Sequence, residues 1–478
     1  MAAIARDKLG IADLTASQRE VLDHITQGRD TLAVLPTGSG KTACYVLPAL
    51  ATGRMTLVVS PLISLIRDQV RSLRQQGIAA CLFDSLQSRD ERDTSYNEIV
   101  SGDTRVLYVS PERLGRKRFQ EISATLPIGL IAIDEAHCVS LWGSNFRPDY
   151  RHLGNYLSHL PKACPRLAVT ATATERTQWD IIETLGLRSP AVVWSDWRRP
   201  NLKMDIVRSS NVGSQLSSIL SLAHDVRGQG IVYTSTRTKA NEVFQMLNND
   251  GQSVELYHAG LMSQERERVQ NAFLGGDCRI VVATSAFGMG INLPSIRFVF
   301  HYGLPSTPEQ YVQEIGRAGR DGKDARCVMF YGPKDFYIQK FMMDLTLPDQ
   351  ADLERAFVKV SEQLRFARHC STPALKKELD SMFPDRAEVL LESLIREGVI
   401  FRLKPEGSHL GADEESICEA GPALGPDFWL NYELRRQDQL AKLRKMRDIA
   451  KAGIQPNEAL SIYFGGAVRL DRTAELQL

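Results

Sequence analysis

Four groups of residues in this chain have the types and spacing to do chemistry. The first is Pro36 to Thr42, PTGSGKT. It follows the apolar stretch Thr31 to Leu35 and precedes helix-compatible sequence, which is the setting a phosphate-binding loop requires. Gly38 and Gly40 let the backbone curl so that successive N–H groups point inward at phosphate oxygens. Lys41 adds a charge aimed at β- and γ-phosphates, and the Thr42 hydroxyl is placed to ligate Mg²⁺. The strict G-x-x-x-x-G-K-[ST] pattern wants Gly at position 35, where this chain has Leu35. The second group is Asp134, Glu135 and His137, in which Asp134 suits Mg²⁺ and Glu135 suits positioning or deprotonating an attacking water. The third is the aromatic and polar run with Trp142, Asn145, Phe146, Arg147, Asp149 and Tyr150. The fourth is QEIGRAGRDG, with Gln313, Arg317 and Arg320. Read singly, the second and third make a buried strand with an ordinary amphipathic loop, and the fourth a solvated basic patch.

These groups need elements to position them. Ile128 to Ile133 holds five apolar residues and one Gly, a run suited to a strand buried on both faces of a parallel sheet. Ligands of α/β sheets sit at the carboxyl ends of strands, so acids directly after this run can meet a metal and a water. Leu14, Val21, Leu22 and Ile25 have helical spacing and lead into the strand Thr31 to Leu35. The plan repeats at Met55 to Gly77 and at Thr104 to Leu114, each with Ser-Pro at the strand end: Ser60 with Pro61, and Ser110. Such turns can present hydroxyls and N–H groups to a phosphodiester backbone, or be simple βα turns. Arg166 to Thr174 is a strand ending in alternating Thr and Ala, suited to a contact between lobes. Asp196 to Val207 reads as a linker, after which strand and helix alternate again without a second phosphate loop. On a helix, the spacing of Arg317 and Arg320 puts both guanidiniums on one face.

At 478 residues the chain should hold about three domains of roughly 150 residues. With 43% hydrophobic and 24% charged residues it has the composition of a soluble globular protein. The formal charge of +1 gives no bulk attraction to nucleic acid, so binding must use local patches. There is no run of 18 apolar residues and no signal-peptide pattern at MAAIARDKLG, which leads us to expect a cytoplasmic protein, nucleoid-associated if bacterial. The eight cysteines include no C-x-x-C pair. Reduced thiols are expected, with no disulfide framework and no structural zinc.

In order along the chain, PTGSGKT, SPLISLIRDQV, SPERL, DEAHCVSLWGSNFRPDY, TATAT, YHAGL, VATSAFGMGIN and QEIGRAGRDG resemble the motif set of superfamily 2 helicases over residues 14–335. Within that set the chain resembles the RecQ family of DNA helicases, for which DEAHC followed by WG-x-x-FRP-x-Y is specific. The resemblance implies an ATP- and Mg²⁺-dependent enzyme acting on single-stranded and duplex DNA, in repair or recombination, with 3′→5′ movement. Pro36, Thr37, Gly38, Ser39, Gly40, Lys41 and Thr42 would hold the nucleotide, with Gln18 upstream. Thr42 and Asp134 would hold the metal, and Asp134, Glu135 and His137 would serve hydrolysis. Gln313, Arg317 and Arg320 would reach the γ-phosphate across a cleft. Trp142, Phe146 and Arg147 would couple single-stranded DNA to turnover. The family's upstream aromatic and Arg are replaced by Ile11 and Thr15, so weak base selectivity is expected. Its four zinc-binding cysteines have no counterpart.

After Asp349 the sequence reads as two helices and a short strand pair through Arg386 to Gly407, fitting a winged-helix unit. The helix-compatible segment Asn431 to Gly453 follows, with seven basic residues, among them Arg435, Arg436, Lys442 and Arg444, against three acids. In a protein carrying a DNA motor this segment is a candidate DNA contact, the alternative being a solvated face. The expected fold is α/β: two tandem RecA-like P-loop lobes with parallel sheets, followed by small winged-helix-like and helical domains. The expected boundaries are 1–200 and 201–345 for the lobes, 346–425 for the winged-helix-like region and 426–478 for the basic helical region. The expected function is an ATP-dependent DNA helicase. The alternatives are a DNA-stimulated ATPase that remodels or anneals without efficient unwinding, and a nucleic-acid-binding scaffold with a vestigial ATP site.

Overall fold

Seven apolar runs form one parallel sheet because each is buried on both faces. They are β1 (Thr31–Val34), β2 (Met55–Val59), β3 (Ala80–Phe83), β4 (Val106–Val109), β5 (Ile128–Ile133), β6 (Arg166–Thr170) and β7 (Ala191–Trp194). Alternate residues enter opposite cores, as the twofold strand period requires. Ile131 and Ile133 join one apolar cluster, while Leu130 and Ala132 join the other. The strand order is β3-β4-β2-β5-β6-β1-β7. Since β5, β6 and β1 are neighbours, their carboxyl ends set Asp134, the Thr170–Thr174 segment and the phosphate loop side by side. The Leu35 amide donates to the Thr170 carbonyl at 2.9 Å, and the Asp134 amide to that of Val59 at 2.8 Å. Three helices of this lobe bear on the site: α1 (Ala16–Thr26), α2 (Lys41–Thr52) and α3 (Glu175–Leu185). The structure is a computed structural model, and it describes residues 1–61, 63–83, 89–114, 116–140, 153–160, 164–288, 291, 293–366, 369–403, 417–421, 424–425, 427–452 and 455–465.

A second parallel sheet has six strands: β8 (Leu202–Arg208), β9 (Gly230–Thr234), β10 (Val254–Tyr257), β11 (Ile280–Ala283), β12 (Phe298–Tyr302) and β13 (Ala325–Tyr331), in the order β10-β11-β9-β12-β13-β8. Following β12, α4 (Pro308–Ile315) starts at Thr307, whose hydroxyl accepts from the Gln310 amide at 3.1 Å. Pro308 at its first position suits a helix start, where the missing N–H is not needed.

Contacts divide the chain into residues 1–333 with 445–478, and residues 334–444. The expected limits of 345 and 426 therefore differ from the observed division. The helix Asp335–Thr346 falls in the second unit, and the helix Phe428–Lys451 contributes to both. In the second unit α5 (Gln350–Phe366), β14 (Cys370–Ser371), α6 (Thr372–Asp380), α7 (Ala387–Arg396), β15 (Ile400–Leu403) and β16 (Ile417–Ala420) follow one another. The three strands pair antiparallel in the order β14-β16-β15. Leu353, Leu375, Leu379, Leu390, Leu394 and Ile400 form its core. Next come α8 (Phe428–Lys451) and α9 (Pro456–Phe464). All eight cysteines are free thiols, and among the described residues no helix is long and apolar enough to cross a membrane.

The reading of α8 as a DNA-facing basic helix needs correction. The Arg435 guanidinium meets Glu397 at 2.6 Å, and both side chains are only 8% exposed. Arg436 pairs with Asp344 at 3.1 Å, and Lys442 with Asp438 at 2.8 Å. The alternation of acid and base that looked like a solvated or DNA-binding face is an internal neutralising pattern. Arg444 and Lys445 stay exposed. Removing one partner of a buried pair strands the other charge, at a cost of about 3–5 kcal/mol. Arg435→Ala should therefore lower the denaturant midpoint of the second unit clearly. Arg444→Ala should change stability by no more than about 0.5 kcal/mol. Equal, small effects of the two substitutions in urea unfolding would contradict this assignment.

Candidate active site

The phosphate loop is built by backbone conformation. Gly38 has φ +82° and Gly40 φ +73°, in the left-handed region where a side chain strains the chain. Gly40 is the N-cap of α2 and offers no side-chain cap, so the first amides of that helix are left for an anion. The hydroxyls of Thr37 and Ser39 are buried with no hydrogen-bond partner among the described residues. Phosphate oxygens would satisfy them. Tyr45 places its hydroxyl 3.4 Å from Thr42 Oγ1.

Gln18 lies against the phosphate loop. Its Oε1 accepts from the Thr15 amide at 2.8 Å, closing a capping box at the start of α1. Its Nε2 donates to the carbonyls of Ser39 at 2.8 Å and Gly40 at 3.2 Å. One end of the amide thus caps α1 and the other braces the loop. Ile11, where the family's aromatic would stand, packs with Leu14, Leu22 and Leu47. Thr15 is the helix cap.

At the end of β5, Glu135 has φ +48°. A non-glycine residue in that region stores roughly 1–3 kcal/mol of strain and is often held so at functional sites. Its amide donates to Asp134 Oδ1 at 2.9 Å. Burial first, and then the charge of Glu135, push the Asp134 carboxyl up to about 6, against the pull of Lys41. Burial acts to raise Glu135 too, but His137, Lys41 and Arg317 outweigh it and hold that carboxyl down at about 2. His137 is buried, with Nδ1 3.0 Å from Thr170 Oγ1 and 3.3 Å from Glu135 Oε2. Burial disfavours its charged form, yet Cys138 and Glu135 beside it push its pKa up to about 10. Hard oxygen donors, a carboxylate strained by a like charge and a neighbouring hydroxyl fit Mg²⁺. Asp134 and Thr42 are the residues that would hold it.

The other wall of the site comes from the second sheet. Gln313 on α4 donates from Nε2 to Thr172 Oγ1 at 3.4 Å, joining the two lobes. Arg317 and Arg320 do not share a helical face as their spacing suggested, because α4 ends at Ile315. They lie in the turn that follows, and backbone carbonyls aim them. Arg317 Nη1 donates to Gly288 O, and Arg320 Nη1 to Ile291 O at 3.2 Å. A methyl built on Gly38 would lie 3.1 Å from Arg320 Cγ, and one on Gly316 would lie 2.9 Å from Thr37 Cβ. The lobes approach at two glycines. Burial, then the charges of Arg317 and Arg199, pull Arg320 down to about 10. Arg199, which sequence reasoning left in the linker, donates from Nη1 to Gly316 O at 3.2 Å. Its sequence signal is the Arg198-Arg199-Pro200 run within the stretch that reads as a linker.

Ser60, Pro61 and Ser110 lie at the same sheet edge, but all three are buried. Ser60 is 0% and Ser110 1% exposed, and neither hydroxyl has a hydrogen-bond partner among the described residues. Trp142, Phe146 and Arg147 fall outside the described residues.

The bracing role of Gln18 has a consequence for selectivity. Gln18→Ala should raise KM for ATP and for GTP by similar factors, about tenfold for each 1.4 kcal/mol of lost binding, since it loosens the loop and not a base contact. A rise confined to ATP in steady-state kinetics would make Gln18 an adenine reader and overturn this.

Comparison with known proteins adds the family. Residues 15–181 match the DEAD/DEAH box helicase family, and residues 213–322 match the helicase conserved C-terminal domain. The ATP-dependent DNA helicase RecQ of Pasteurella multocida is 41% identical over 350 residues, covering 72% of this chain and 54% of the relative. The probable ATP-dependent DNA helicase RecS of Bacillus subtilis is 37% identical over 359 residues, covering 74% of this chain and 72% of the relative. The chain spans about half the length of the RecQ relatives from Pasteurella and Haemophilus influenzae. The DUF1998 helicase MrfA, solved bound to DNA and AMPPNP, shares the fold with a TM-score of 0.58 at 22% identity, over 71% of this chain and 51% of MrfA. With two helicase domains in order and 72% of RecS covered at 37% identity, this chain belongs to the RecQ family of superfamily 2 helicases.

Proposed function

We propose that this protein is an ATP-dependent DNA helicase that moves along single-stranded DNA, in the 3′→5′ sense, and separates duplex. One observation carries the reading: the Arg320 side chain lies against Gly38 of the phosphate loop while Gln313 reaches Thr172. Groups from both lobes therefore converge where a γ-phosphate would sit. Lys41 and the loop amides bind the phosphates, and Glu135 orients and deprotonates the attacking water. Arg317 and Arg320 stabilise charge on the transferred phosphoryl group. Bound Mg²⁺, on Thr42 and Asp134, would offset phosphate charge. Because the arginines belong to one lobe and the loop to the other, ATP favours the closed cleft and hydrolysis removes that preference. If the lobes grip DNA in turn, each cycle advances the protein.

The order helix, strand, two helices, two strands in the second unit supports its reading as a winged helix. The single, separated cysteines support a protein without structural zinc. An elemental analysis returning about one zinc per chain would defeat that part.

The chain should hydrolyse ATP, faster with single-stranded DNA, and displace the strand of a 3′-tailed duplex. Glu135→Gln should bind ATP and DNA but lose about 10²–10⁴-fold in kcat, the range for a general base. Trp142→Ala with Phe146→Ala should keep basal turnover and lose most of the DNA stimulation. Stacking of a base on such rings contributes about 1–3 kcal/mol. ATP turnover without strand displacement would instead support a remodelling ATPase, and no turnover a vestigial site.

A further inference from the structure

After the second unit the chain returns to the first, and its last described helix settles over the junction of the two lobes. The Arg208 side chain at the end of β8 donates from Nε to Ala450 O at 3.0 Å, and it also reaches Ala452 O. This fixes the end of α8 by satisfying helix carbonyls that have no partner of their own. α9 then buries Pro456, Ala459, Leu460 and Phe464 and packs by β8. Its end meets two elements and comes close to a third. The Tyr463 hydroxyl donates to Glu309 Oε1 at 2.7 Å. The Phe464 ring sits 6.1 Å from that of Trp197, in the connection between lobes, and the two are only 4% and 7% exposed. A methyl on Gly465 would lie 3.7 Å from Glu175 Oε1, on the first residue of α3.

Glu309 and Gln313 are four residues apart on α4, hence on one face and one turn from each other. Thr172 lies three residues before Glu175. α9 therefore braces α4, which carries Gln313, and ends near the start of α3, three residues beyond Thr172, on the two sides that the Gln313–Thr172 hydrogen bond joins. α4 is only two turns long, so a shift of its first turn passes to Gln313 with little internal give.

We propose that Tyr463 and Phe464 are positioning residues for ATP hydrolysis. By bracing Glu309 and Trp197 from the end of the chain, they hold Gln313 against Thr172 and so keep the arginine wall in register with the phosphate loop. They touch neither nucleotide nor DNA, and they act through α4 and the interlobe connection. This rests on the site being an ATPase centre, as proposed above.

The test uses the full chain. Tyr463→Phe removes one oxygen and no packing. It should lower DNA-stimulated kcat by about threefold to tenfold, the kinetic equivalent of one net hydrogen bond. KM for ATP should change less than about twofold, since ground-state binding is not involved. The melting curve should match that of the wild type. Glu309→Gln should lower kcat similarly, and the double variant should lose no more than either single one, because both act through one contact. Phe464→Leu, which keeps an apolar contact with Trp197, should lose less than Phe464→Ala. Unchanged kcat in Tyr463→Phe, additive losses in the double variant, or losses that track the melting temperature would overturn the proposal while wild-type turnover leaves the site reading intact. Absence of wild-type turnover would overturn both.

Discussion

Three guanidiniums, those of Arg199, Arg317 and Arg320, share a poorly hydrated space facing the phosphate loop. Burial first, and then the repulsion of its like-charged neighbours, lowers the Arg320 pKa to about 10. The fold meets that repulsion with main-chain carbonyls: Gly288 and Ile291 for the two finger arginines, Gly316 and Gly319 for Arg199. Carbonyl dipoles orient the cations without neutralising them. An anion entering the cleft therefore meets a field already in place, which is the condition under which electrostatic stabilisation of a transition state is most effective.

The opposite wall has the complementary problem. Asp134 and Glu135 are adjacent carboxylates at one strand end, and they separate in acidity because their surroundings differ. Asp134 is buried beside a like charge, while Glu135 has His137, Lys41 and, from the other lobe, Arg317. A carboxylate held ionised beside the site suits a water-activating group, and one that gains from a cation suits a metal ligand. The two walls are opposite in charge, and Arg317 of one helps hold Glu135 of the other ionised. Gly38 and Gly316 let the walls approach. Any side chain at Gly38 would contact Arg320, and one at Gly316 would contact Thr37.

Much of this was legible in the sequence because it depends on local order. The apolar run before Asp134, the glycines before Lys41 and the small hydroxyl residues of Thr170–Thr174 declare strand ends and a loop. Strand adjacency then brings them together. What failed to read correctly depends on contacts far apart in the chain. The amide of Gln18 bridges Thr15, Ser39 and Gly40, a link its position in the sequence does not announce. The spacing of Arg317 and Arg320 implied a helix face, yet the helix stops at Ile315. Arg435 and Lys442 looked available for DNA because Glu397 is remote in sequence and the acid four residues from Lys442 was counted as a weak opposing charge. Burial turns both into closed pairs.

The path of the chain into and out of the second unit has a topological explanation. β13 and β8 are paired neighbours at the edge of the second sheet, with Tyr331 opposite Arg208. The chain leaves for the second unit just after Tyr331. It returns where Arg208 grips the carbonyls of Ala450 and Ala452. Exit and re-entry thus lie at adjacent strand ends, the geometry in which a separate unit can be accommodated without disturbing the sheet that carries it. The returning helices then reach the lobe junction from the β8 edge, on the side of α4 and the interlobe connection. Sheet adjacency, rather than position along the chain, thus decides which element arrives beside α4 and the interlobe connection.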